Sequence, residues 1–144
     1  MSEQWRVDGP RVVEVGGPDT PVRELKVGLV AGRVDVVAHD EPSAQVEITS
    51  VTGRELEISW HDGVLSVSHP QVRWDGLLDA LKGLGRREDE AQISIALPRT
   101  ASVRVSTVSA DGLLSGLTAR ADVRTVSGEL VLDDVSGDVT ARTI

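Results

Sequence analysis

The stretch TVSADGLLSGLTARADVRTVSGELVLDDVSGDVTARTI, residues 107–144, decides the fold. Val108, Leu117, Val126, Val135 and Ile144 step through it by nine without a gap. Thr107-Val108-Ser109, Thr125-Val126-Ser127 and Thr143-Ile144 recur 18 residues apart, so two ninefold halves make one unit. A fixed period of this kind is the mark of a repeat architecture. Each nonapeptide places an apolar or small residue at its first, fifth and seventh positions, as in Val126, Leu130 and Leu132, then Val135, Val139 and Ala141. The fifth and seventh positions are two apart, so both side chains lie on one face of a strand. Between the first and fifth positions stand Ser-Gly-Glu, Ser-Gly-Asp or Ser-Ala-Asp. These triplets read as turns, with Gly permitting positive φ and Ser or Asp bonding to the nearby backbone.

The same spacing recurs upstream in Val30, Val34 and Val36. Short alternating strands also read at 55–60, 64–69 and 92–97. The expected class is all-β, as a β-solenoid whose 18-residue coils each give one strand to each of two stacked sheets. The alternative is an antiparallel β-sandwich, because sandwich strands also recur every 8–12 residues. Strict repetition of nine favours the solenoid, since stacked equivalents need coils of equal length.

One segment breaks the β pattern. Trp74, Leu77, Leu78, Leu81 and Leu84 follow helical spacing, with Asp75 placed to cap and Gly85 to stop. This predicts one short helix near 75–85 within an insertion at 70–90. Such a helix is too short to stand alone and must rest its apolar side on something. Residues 1–21 read as a polar N-terminal arm and first strand, and 22–144 as the repeat domain.

Composition narrows the function. The chain has 144 residues, no Cys, Phe or Tyr, one Met and three Trp. Val, Leu, Ile and Ala suit narrow β layers. The formal net charge of -8 disfavours nucleic acid, whose phosphates call for Lys and Arg, and equally an anionic membrane surface. No segment reads as a signal sequence or membrane span, so no direct membrane insertion and a cytoplasmic location are expected, with membrane association only through a partner.

Catalytic and metal chemistry find little support. The repeat lacks the Gly-Gly-x-Gly run of calcium-binding β-rolls, and solvated turns explain Asp133, Asp134 and Asp138. His39, His61 and His69 give no ligand spacing for zinc. Ser68 and His69 are neighbours on one strand and so point to opposite faces. No enzyme activity, cofactor or metal is expected.

The stretches at 125–130 and 135–143, with 30–36 before them, resemble the actinobacterial branch of the adhesin-like β-strand repeat family, also called toastrack domains. The resemblance implies a stacked β-solenoid without enzymatic activity. It also implies links to envelope stress, membrane-anchored partners or surface adhesion. It transfers no functional residues. A new unit begins at Thr143-Ile144, so the chain is expected to be a truncated form. The expected role is a scaffold or protein-interaction module whose partner is another protein or a second copy of itself. The alternative is a module for carbohydrate or cell-envelope ligands. Candidate partner-binding residues are Trp60, Trp74, Leu77 and Leu81, although Trp60 also reads as a core plug at a coil corner. Candidate self-association residues, on the edge of the last coil, are Val135, Val139, Ala141 and Ile144. Trp5 receives no role.

Overall fold

The computed structural model describes residues 2–69 and 89–143. The helix expected near 75–85 lies outside them. The described residues form thirteen strands. They are β1 (Ser2–Val7), β2 (Arg11–Val15), β3 (Glu24–Leu29), β4 (Ala31–His39), β5 (Ala44–Thr52), β6 (Leu56–His61) and β7 (Val64–Ser68). Then follow β8 (Glu90–Pro98), β9 (Ser102–Thr107), β10 (Asp111–Ser115), β11 (Ala121–Thr125), β12 (Leu130–Asp133) and β13 (Val139–Thr143). They build two mixed sheets, one in the order β1-β6-β7-β3-β9-β11-β13 and the other β12-β10-β4-β8-β5-β2.

The C-terminal part stacks as its period requires. Val103 pairs with Ala121 and Ala121 with Val139, all in parallel strands. In the other sheet Gly112 pairs with Leu130, again in parallel. Each step is 18 residues, so like residues lie over like, about 4.8 Å apart. The turns join this stack and do not close hairpins. The amides of Ser127 and Ser136 donate to the carbonyls of Val108 and Leu117, one coil earlier. Thr107 and Thr125 repeat the theme in side chains, with hydroxyls 3.1 Å apart. The Thr125 hydroxyl in turn accepts from the Gly128 amide at 2.8 Å.

Gly128 and Gly137 serve this stack otherwise than the sequence suggests. Neither has a φ in the left-handed region. A Cβ on Gly128 would run into the carbonyl oxygen of Ala110, and one on Gly137 into that of Ala119. These carbonyls belong to the equivalent positions of the preceding coil. The glycines are therefore demanded by close backbone approach between coils.

The N-terminal half departs from a simple solenoid. β1 pairs antiparallel with β6, β6 with β7, β2 with β5, and β5 with β8. The turn between β6 and β7 carries Asp62 at φ 52 and Gly63 at φ 82, the two-residue hairpin chemistry that an Asp-Gly pair provides. The expected N-terminal arm also contains more structure than one strand, because β1 and β2 join both sheets and Trp5 packs against the core. Chain order and spatial order differ in the middle. β7 enters between β6 and β3, and β8 between β5 and β4. The layer made by β3 and β4 thereby becomes the template for β9 and β10, 78 residues later in register.

The core is a set of aliphatic ladders between the sheets. One runs through Ile58, Val67, Val27, Val105 and Val123; facing it, another runs through Val46, Ile95, Val36 and Leu114. All of these are buried. Fully burying a side chain of this size stabilises the fold by about 1.5–3 kcal/mol.

Candidate interaction face

Alternation along the strands of the six-stranded sheet turns every second residue away from the core. Across the sheet these residues fall into rows. One row reads Val12, Glu47, Ser94, Asp35, Leu113 and Val131. The next reads Glu14, Gln45, Ala96, Val37 and Ser115. β8 lies near the middle and contributes only small side chains, Ser94 and Ala96. Its neighbours contribute larger ones. The result is a shallow trough of about 360 Å³ lined by Asp35, Val37, Gln45, Glu47, Ser94, Ile95, Ala96 and Leu113.

The face is both apolar and acidic. Val12, Val37 and Val131 are 53%, 51% and 48% exposed, and they are three of the four large hydrophobic residues most open to solvent among those described. Around them stand Glu14, Glu47, Asp35 and Asp133, and in the adjoining row Asp111 stands in register with the cation Arg33. Arg33 is committed to Asp35: its Nε lies 3.0 Å from Oδ1 and donates to Oδ2 at 3.1 Å. The hydrogen bond to Asp35 first, and its charge second, raise the Arg33 pKa above the ordinary guanidinium value. Glu47 has no ion-pair partner among the described residues. It faces the trough from the side opposite Asp35, two strand spacings or about 10 Å away.

The residues singled out from sequence fall elsewhere. Trp60 is 7% exposed and sits in the core ladder opposite Leu65, so it cannot present a surface to a partner. The side chain of the strand's fifth residue points inward despite the turn beside it, which agrees with the core-plug reading of Trp60. Trp74, Leu77, Leu81 and Ile144 lie outside the described residues. Val139 and Ala141 are on β13, the last strand of its sheet, and Val135 packs partly against the core. Val139 is 46% exposed although its register places it on the inward ladder of Leu25, Val103 and Ala121.

The histidines do not converge. The His39 Nδ1 accepts from the Glu41 amide at 3.1 Å. His61 is exposed on the outer side of β6. His69 is fully buried, and its Nδ1 accepts from the Val30 amide at 2.9 Å. Burial lowers its pKa to about 4, against a smaller raising effect of Asp89. Among the described residues no group of three His, Asp or Glu side chains could hold a metal ion. No helix among them is long and apolar enough to cross a membrane.

No protein-family model matches the chain, and no curated protein matches it. Among solved structures it is similar to a crystal structure from Clostridium sporogenes ATCC 15579, provisionally described as a cell adhesion protein. The identity is 9%, the match covers 94% of this chain and 100% of that one, and the TM-score is 0.39. The likeness is a loose one.

Proposed function

We propose that this chain is a non-enzymatic protein-interaction module that binds through the outer face of its six-stranded sheet. The observation that carries the reading is the trough over Ser94 and Ala96, which has the half-exposed Val37 in its lining and lies in a row that ends at Val12 and Val131. Isolated apolar residues on a surface mean little, but a hollow lined by Val37, Ala96 and Leu113 marks a contact site. A protein partner fits better than a carbohydrate. Sugar sites commonly stack on aromatic rings, and both described tryptophans, Trp5 and Trp60, face the core. The trough holds a serine hydroxyl at Ser94 with no histidine beside it, which supports a binding role over a hydrolytic one.

Selection of displayed peptides on the chain, alongside a glycan array, tests this. Peptide binders are expected whose affinity falls about tenfold or more when Ala96→Leu fills the trough. The exposed Gln4→Glu, on the other sheet, should leave them unchanged. Oligosaccharide binding abolished by Ala96→Leu would replace protein with carbohydrate. Binders indifferent to Ala96→Leu would remove the face from the reading.

A second reading, association between two copies along β12 and β13, is favoured by a separate observation. Among the described residues both strands are paired on one side only, and Leu130, Leu132 and Val139 are only partly covered. Unpaired edges of this kind are templates for added strands. Light scattering is expected to show mass rising with concentration, and Val139→Lys is expected to suppress the rise. A constant mass of one chain up to millimolar concentration would dismiss it.

A further inference from the structure

We infer that the trough is a receptor for one long cationic side chain, Arg or Lys, carried by the protein partner. The inference rests on the interaction-face reading and specifies its chemistry. Three features of the trough agree on it. Its floor is made of Ser94 and Ala96, both small side chains, so there is depth for an inserted group. One wall and the adjoining strand offer Val37 and Leu113, an aliphatic lining along which a butyl or propyl stem can lie. The opposite wall ends in Glu47, a carboxylate with no ion-pair partner among the described residues.

Lys and Arg are the side chains with this division of labour, an apolar stem and a charged tip. A purely aliphatic knob would cover Glu47 and leave a carboxylate partly desolvated without compensation. An acidic knob would meet Glu47, Asp35 and Glu14 with the same sign of charge. The wider face reinforces the choice. Asp111 and Asp133 continue the negative potential beyond the trough, and complementary potential speeds docking and rejects wrong partners. Asp35 is already engaged by Arg33, so Glu47 is the specificity-determining group and Asp35 a secondary one.

The test uses the full chain, labelled with nitrogen-15, and two synthetic probes. One is a short peptide alternating Val and Arg; the other carries citrulline, the neutral isostere, in place of Arg. The Arg peptide is expected to shift the amides of Asp35, Glu47, Ser94 and Leu113. The citrulline peptide should bind about tenfold more weakly, and Glu47→Gln should abolish most of that difference. Glu47 is exposed on a solvent face, so Glu47→Gln should fold normally. Equal binding of both peptides at these amides would overturn the cation requirement while leaving the face as a protein-binding surface. Arg-peptide shifts confined to other parts of the molecule, or none, would overturn the receptor. Loss of display-selected binders in Ala96→Leu would still report on the face independently.

Discussion

Lowering the pH from 6.5 to 4 is expected to strip about 3 kcal/mol from the stability of this fold through His69 alone. The imidazole is fully buried, and burial holds its pKa down at about 4. The unfolded chain keeps the ordinary value, about 6.5. Above that pH the group is neutral in both states and contributes nothing to pH dependence. Below it, the unfolded chain takes up the proton first, so stability falls. The loss is complete once the folded pKa is passed. The span of about 2.5 pH units, at 1.36 kcal/mol each, gives the magnitude.

The geometry explains why the proton is resisted. Nδ1 accepts the Val30 amide, and a protonated ring would set donor against donor there. Asp89, itself buried, only partly offsets this. Urea unfolding at pH 7 and pH 4 checks the expectation. His69→Gln, which keeps an acceptor but does not titrate, should be less stable at pH 7 and lose about 3 kcal/mol less on acidification. Identical pH dependence in the two proteins would refute the assignment, since other carboxylates act on both.

Gly128→Ala is expected to cost roughly 3 kcal/mol, the upper range for overpacking a tight site. The added methyl has nowhere to go, because it points at the backbone carbonyl of Ala110, not at a side chain that could swing away. Relief would require the coils to part, which would stretch the Ser127 to Val108 hydrogen bond of 2.9 Å. Gly17→Ala is the control. A Cβ at Gly17 meets nothing within 4 Å, so that change should be nearly neutral or slightly stabilising. Thermal unfolding of both variants settles the matter. A Gly128→Ala protein as stable as Gly17→Ala would refute the close approach between coils as the reason for this glycine.

These two cases show what a linear reading of the chain can and cannot supply. The period of nine announced the parallel stack of β9 to β13, since equal coil lengths place Val103, Ala121 and Val139 in one ladder. The same reading explained the repeat glycines by backbone freedom, because contact between successive coils is invisible until the coils are laid down. The N-terminal half was harder. Its strands at 55–60, 64–69 and 92–97 were legible from alternation and match β6, β7 and β8 closely. Their partners were not, because β7 and β8 enter between strands already formed. Trp60 was legible as a core plug as well as a partner contact, and strand parity buries it, as the first of these expects. The trough was beyond reach for a related reason. Asp35, Glu47, Ser94 and Leu113 come from four strands scattered over 79 positions, and nothing local to any of them signals the others.

The topology separates two properties that most domains are obliged to vary together. Among the described residues β12 and β13 each pair with one strand alone, in the coil before them, whereas β4, β5 and β8 are sewn into the middle. An 18-residue unit could thus be gained or lost at that end during evolution while the trough proposed for recognition, built on β4, β5, β8 and β10, stays intact. Descendants of such a sequence would be free to change reach and valence on one axis and partner choice on another.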